Sequence, residues 1–410
     1  MKRRTWFKGL WVLASGPLAS RALLVDTAEA QTVSAATGDS LDAMLQPYLA
    51  RFGLPAIGAA VLSGGKPVAS GAVGTRRVGF DIPVHVTDKF HIGSGTKAMT
   101  VLLAALYIEQ GKLRWDTRME EAFPELAARM DPELRTATVT QLMSHTSGLP
   151  NDEEAPKMER LMNQAMLQPG NMDAQRYWMV QQIVPDKLPR KPGAAWAYSN
   201  IGYVVLGSIL ERIGGKTWEE LIAEKVFAPL HLDSAGFGPQ SSIGFVDAPL
   251  GHDIVNGKPF AYLVGPNGDN PVVIGPAGTV HLSVLDFAAW ASWQVAEGKR
   301  GPHLVSDATM RRMHTRVVDT PKLKNAPTGT PGSVAAKDLG YALGWGIVTP
   351  SFSKDPFIFH GGSNSRNYAM ILLQPQYDFA MVLVTNIVVP KIDNAFRDIG
   401  AELYAKYAPR

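Results

Sequence analysis

Strand-type sequence collects at the two ends of this chain, and that distribution limits its fold more than any other feature. Near the N-terminus stand AIGAAVL and KPVASGAVG, joined at Ser63-Gly64-Gly65, a hairpin signal. Near the C-terminus stand YALGWGIV, PFIFHGG, NYAMILLQP and FAMVLVTN. The simplest assembly is one antiparallel sheet made from both sets of strands, with terminal helices on a face. LDAMLQPYLARF, ending near Gly53, and NAFRDIGAELYAKY supply those helices. The expected class is α+β, of the α/β sandwich type.

The middle of the chain reads differently. SGTKAMTVLLAALYIEQG, from Ser94 to a stop at Gly111, is a good helix of small and apolar residues. From there to about residue 290 the sequence is helix and loop with many Pro and Gly breaks. The expected organisation is a sheet lobe from residues 31–93 and 291–410, with a mostly helical lobe, 94–290, inserted into it. The two make one intergrown domain, and the cleft between them is the default pocket. TPKLKNAPTGTPGS, within the Pro- and Gly-rich stretch 300–338, reads as a loop.

Residues 1–30 have the form of an export leader. MKRR is a basic start, GLWVLASGPLA a modest apolar stretch, and Ala28 to Ala30 an A-x-A cleavage pattern. Arg3 and Arg4 followed by Trp6, Phe7 and Lys8 resemble a twin-arginine signal; an ordinary secretory leader is the alternative. The expected location is the periplasm or the exterior. The leader carries five basic and two acidic residues, which accounts for the whole chain's +3. The remainder is near neutral, so charge gives no reason to expect a nucleic-acid partner. No later run approaches the roughly 18 apolar residues of a membrane span. Cysteine is absent, which excludes disulfides, thiolate chemistry and a cysteine-based metal site. The nine histidines form no tight ligand motif, and neither metal nor cofactor is expected.

Three short segments carry candidate chemistry. In HIGSGTKAM, Ser94 and Lys97 stand three apart at a loop-to-helix junction, so both side chains share a face. A desolvated lysine there can take the serine proton, and the helix start offers N–H groups to a developing anion. Read structurally, Ser94 is a helix cap and Lys97 a solvated side chain. In WAYSN, Tyr198 can relay a proton and Asn200 can bond a substrate carbonyl. Read structurally, Asn200 caps the helix that starts at Gly202-Tyr203. In FHGGSNS, Gly361 and Gly362 after His360 let another backbone approach closely. The Ser363 N–H can then sit opposite that of Ser94 as an oxyanion hole. The structural alternative is a glycine-rich hairpin with a solvent-facing histidine.

In this order the segments resemble the serine β-lactamase and penicillin-recognising superfamily, more closely its class C, D,D-carboxypeptidase and esterase branch. That family shows S-x-x-K, Y-x-N and a K/H-x-G triplet, here Ser94-Gly95-Thr96-Lys97, Tyr198-Ser199-Asn200 and His360-Gly361-Gly362. LMSHTSGLP, PAGTVHLSVLDFAAW and YALGWG fit the same pattern, which covers about Leu41 to the last helix. The resemblance implies the β-lactamase/transpeptidase-like fold. It implies that Ser94 attacks a carbonyl and is acylated, and that Lys97 and Tyr198 move protons. Asn200 then positions the acyl part. His360, Gly361, Gly362 and Ser363 border the substrate, with His360 holding Tyr198 or a substrate carboxylate. The Ser94 and Ser363 N–H groups form the oxyanion hole.

Two residues depart from that pattern. Histidine at 360 replaces the lysine of typical class C β-lactamases. It carries little charge at neutral pH, which predicts a pH-dependent hold on a carboxylate. Arg366 stands where a glycine is common; it narrows the pocket, pairs with an acidic substrate, or faces solvent.

Other signals are weaker. No serine sits in a G-x-S-x-G elbow. GGKT at Gly214 to Thr217 lacks the start of a phosphate loop and reads as a helix stop followed by a Thr217/Glu220 capping box. His145 in SHTSGLP reads as structural. Met158, Met162 and Met166 have helical spacing and read as core packing, with a pliable lid over an apolar substrate as the alternative. The expected protein is an exported, cofactor-free serine hydrolase acting on a small-molecule or short-peptide substrate. Amide or peptide hydrolysis is favoured, ester hydrolysis second and β-lactam reactivity third. A catalytically silent binding protein on the same fold is the contrasting reading.

Overall fold

The computed structural model describes residues 38–151, 154, 157–265, 268–321 and 336–409. The expected leader and most of the loop TPKLKNAPTGTPGS lie outside the described residues. The first strands are β1 (Asp39–Ser40), β2 (Ala56–Ser63), β3 (Lys66–Gly74) and β4 (Lys89–His91). Four more lie in the middle of the chain: β5 (Gly236–Phe237), β6 (His252–Val255), β7 (Lys258–Ala261) and β8 (Val280–Ser283). The last six are β9 (Val318–Asp319), β10 (Ala336–Tyr341), β11 (Gly346–Pro350), β12 (Phe357–Ser363), β13 (Tyr368–Gln374) and β14 (Phe379–Thr385).

Nine of them form the main sheet, in the order β1-β3-β2-β14-β13-β12-β11-β10-β9. The N- and C-terminal strands meet at the β2–β14 seam, where Ala60 lies opposite Val382. The sheet is antiparallel except for the two-residue edge strand β1, which pairs parallel to β3. The β2–β3 turn uses Gly64 and Gly65 at φ 55° and 80°. Positive φ at both central residues matches the right-handed twist of the flanking strands and suits glycine.

Side chains alternate across the sheet, and both faces are covered. Along β14, Ala380, Val382 and Val384 enter one apolar cluster while Phe379, Met381 and Leu383 enter another. The second cluster is closed by α1 (Asp42–Phe52) and the last helix, Ile392–Tyr407. The first is closed by the helix Val284–Val295 and continues through α2 (Thr96–Glu109) into the helical middle. The boundary expected at residue 291 falls inside this covering helix. Helix α2 is apolar on every side and nearly all of it is buried, as such a helix requires.

The middle is not helix and loop alone. Strand β8 pairs with β4 and β5 in a three-stranded sheet, and β6 pairs with β7 in a hairpin. These strands are two to four residues long, too short for a periodic signal. Thr217 and Glu220 do form a capping box, and the preceding helix ends at Gly215, φ 66°. Met158 is buried, and Met162 and Met166 pack against the core.

Candidate active site

Ser94 sits in a tight turn, Gly93–Gly95, between β4 and α2. It does not cap the helix; its Oγ accepts a hydrogen bond from Lys97 Nζ at 3.0 Å. Lys97 is fully buried rather than solvated. Its Nζ also donates to Asn200 Oδ1 at 2.7 Å and to the Ala277 carbonyl at 2.8 Å. An ammonium taken out of water needs such partners, because an isolated buried charge is very costly. It also lies 4.8 Å from the Tyr198 ring centre and 5.3 Å from that of Tyr203, within cation–π range. Ser94, Lys97, Tyr198 and Asn200 are therefore together, although Asn200 lies 103 positions from Lys97.

Tyr198 is half-buried and Asn200 opens the helix Asn200–Gly214. The cap of this helix is Ser199, whose hydroxyl accepts from Gly202 N, which frees the Asn200 amide for Lys97. Ser199 is in turn fixed by His145, whose Nδ1 accepts the Ser199 N–H at 3.0 Å. The His145 ring lies 4.3 Å from that of Tyr198 and 4.8 Å from that of Tyr341. Burial, with the nearby Lys97 charge and His360, holds the His145 imidazole well below its ordinary pKa, so it accepts as a neutral ring.

The third segment meets the first backbone to backbone. A methyl group on Gly362 would stand 2.0 Å from Ile92 O and 2.5 Å from Ser94 N. One on Gly93, which has φ 49°, would stand 2.2 Å from Ser363 N. Only glycines permit this approach, in which the backbone beside Ser94 meets the backbone beside Ser363.

His360 is buried, not solvent-facing. Its Nδ1 is 2.6 Å from the Gly361 carbonyl, which can only accept, so Nδ1 carries the proton. Its Nε2 then accepts from the Tyr341 hydroxyl at 3.0 Å. Burial, reinforced by the Lys97 charge, pushes its pKa down to about 3. The imidazole stays neutral near pH 7, and the pH-dependent hold on a carboxylate expected of it does not arise. Arg366 neither faces solvent nor awaits an acid. Its Nε pairs with Asp253 at 3.0 Å, and its guanidinium stacks 3.7 Å over the Tyr262 ring.

Sequence reasoning missed the roles of His145, Tyr341 and the Ala277 carbonyl at this site. Their segments SHTSGLP, YALGWG and PAGTV were visible as part of the pattern, but nothing in them told which atom faces Lys97 or His360. His91 was likewise quoted and unassigned.

Known proteins share this fold. Protein flp of Staphylococcus aureus (strain MRSA252) is 23% identical over 370 residues, 87% of this chain. The chain spans 65% of the length of that relative. The octameric penicillin-binding protein homologue from Pyrococcus abyssi superposes with a TM-score of 0.69 at 23% identity, covering 90% of this chain and 78% of that one. The D-stereospecific amidohydrolase from Streptomyces sp. does so with a TM-score of 0.64 at 20% identity, covering 84% and 94%. Residues 41–405 match the Beta-lactamase family, and the chain belongs to that family.

Proposed function

We propose that the protein is an exported serine hydrolase that works through an acyl-enzyme and cleaves amide or peptide bonds in small substrates. The observation that carries this reading is Lys97, fully buried, with its ammonium on both Ser94 Oγ and Asn200 Oδ1. Ser94 Oγ attacks the carbonyl carbon while Tyr198, as its phenolate, takes up the serine proton and the Lys97 ammonium holds the forming alkoxide. The oxygen that becomes negative lies between the Ser94 and Ser363 amides. Tyr198 returns the proton to the leaving nitrogen as the carbon–nitrogen bond breaks. It then accepts a proton from the water that hydrolyses the acyl group. Asn200 positions the acyl part, and His360, Gly361, Gly362 and Ser363 border the substrate.

Amide over ester or β-lactam cleavage is supported by the His-Gly-Gly triplet and by the fold shared with an amidohydrolase. Export is supported by the leader pattern, and N-terminal sequencing of the mature protein checks it near Ala30. The decisive comparison sets wild type against Ser94→Ala on a p-nitrophenyl ester, a chromogenic cephalosporin and a panel of short peptides with L- or D-termini. Turnover is expected to be fastest on a peptide and abolished in the variant. Turnover that survives Ser94→Ala would refute the mechanism; a wild type inert on all three classes would favour a silent binding protein.

A further inference from the structure

Directly behind the nucleophile lies a buried histidine–carboxylate contact that the proposed chemistry does not use. His91, the last residue of β4, is fully buried. Its Nδ1 accepts the Gly93 N–H at 3.0 Å, so its Nε2 carries the proton and faces Asp269 Oδ2 at 3.1 Å. The Asp269 side chain is only 4% exposed. Burial raises its carboxyl pKa, but the contact with His91 and the hydrogen bond from Asn364 outweigh that and hold it below the usual value. Its other oxygen accepts from Asn364 Nδ2 at 2.7 Å. The Asn364 Oδ1 then accepts the backbone N–H groups of Arg366 and Asn367, at 3.2 and 2.9 Å.

The chain of contacts starts one residue before Ser94 and ends one residue after Ser363. Both ends are therefore next to an amide proposed to hold the oxyanion. A buried histidine–carboxylate pair is expensive to desolvate, and replacing such pairs by apolar groups is often neutral or stabilising. Stability alone is thus a poor reason for it. A catalytic donor, by contrast, acts only within a few tenths of an ångström of its place.

We propose that His91, Asp269 and Asn364 form a brace that sets the spacing of the Ser94 and Ser363 N–H groups, and that they are positioning residues for the oxyanion hole. The inference rests on the serine-hydrolase reading. It predicts a loss confined to the chemical step, because the brace touches no substrate. Asp269→Asn turns the bond to Asn364 into a donor facing a donor. The exchange Asp269→Asn with Asn364→Asp restores a donor–acceptor pair at both contacts.

The test measures kcat and KM on the best substrate for wild type, both single variants and the exchange, with thermal midpoints. Asp269→Asn is expected to lower kcat by about 10- to 100-fold, since removing one whole oxyanion donor costs about 10²–10³. KM is expected to stay within about threefold, as a loss of transition-state binding alone requires. The exchange is expected to recover most of kcat. If Asp269→Asn does not fold, His91→Asn against His91→Gln decides: the shorter amide keeps an acceptor for Gly93 N–H and retains the higher kcat. Wild-type kcat in Asp269→Asn, a change in KM alone, or an exchange no faster than the single variant would each overturn the brace. Activity in Ser94→Ala would instead remove the nucleophile, and with it the basis of this inference.

Discussion

A buried lysine with three acceptors is the residue on which the site turns. Changing Lys97→Met keeps the stem and removes the charge. Losing the charge that holds the forming alkoxide is expected to lower kcat by about 10²–10³-fold, as removing one oxyanion donor does, while the fold persists. Circular dichroism and an ester assay on the same sample check both halves. At His360 the expectation differs. Its Nε2 accepts from Tyr341 Oη, the one donor to it among the described contacts, so Tyr341→Phe takes that donor from a buried acceptor. An unpaired buried polar atom costs about 1–3 kcal/mol, which a urea midpoint would register. Because His360 is already neutral near pH 7, its titration adds no step to the pH–rate curve between pH 5 and 8. A step there that vanished in His360→Gln would contradict the geometry described.

At the scale of elements, the decisive contact is β12 against the turn that leads into α2. Two backbones touch there because Gly362 and Gly93 lack Cβ atoms. Gly362→Ala puts a methyl against backbone atoms that cannot step aside. A displacement of about 1 Å at the nucleophile turn costs about 10²-fold in rate, so kcat is expected to fall at least that far. Gly53→Ala is the control: it has open space around it and only the left-handed φ of 68° to contend with. It is expected to cost about 1–2 kcal/mol of stability and nothing in rate. Most elements were legible from the sequence because each has its own period or stop. Strands β2, β3, β12, β13 and β14 and the Thr217-Glu220 capping box follow from local pattern, as does the turn at Gly64-Gly65. The short strands β4, β5 and β8 were not, since two to four residues carry no period and pair only because distant segments meet.

The whole molecule stores an acid sensitivity in its buried histidines. Burial pushes His281 and His314 down to about 4 and His360 to about 3. In the unfolded chain each titrates near 6.5. The unfolded state therefore binds more protons between these values. Stability is complete above about pH 6.5 and is lost as pH falls toward 4. One such histidine costs about 2 kcal/mol between pH 7 and pH 5. Urea midpoints at the two pH values are expected to differ accordingly, and His314→Gln is expected to narrow the gap. An unchanged gap in that variant would remove His314 from the account.

By itself the sequence determined the kinds of element, the joining of both chain ends into one sheet, and the order of the serine–lysine, tyrosine–asparagine and histidine–glycine segments. These are local facts: apolar period, turn residues and residue type are set by neighbours in the chain. Only the tertiary structure decided what each polar atom meets. It gave Lys97 the Ala277 carbonyl, His360 the Tyr341 hydroxyl, Arg366 the Asp253 carboxylate and His91 the Asp269 carboxylate. The protonation of His360 follows from that burial and not from its being a histidine. A partner's identity is fixed by segments far apart along the chain, and no spacing within one segment encodes which atoms of another will be packed against it.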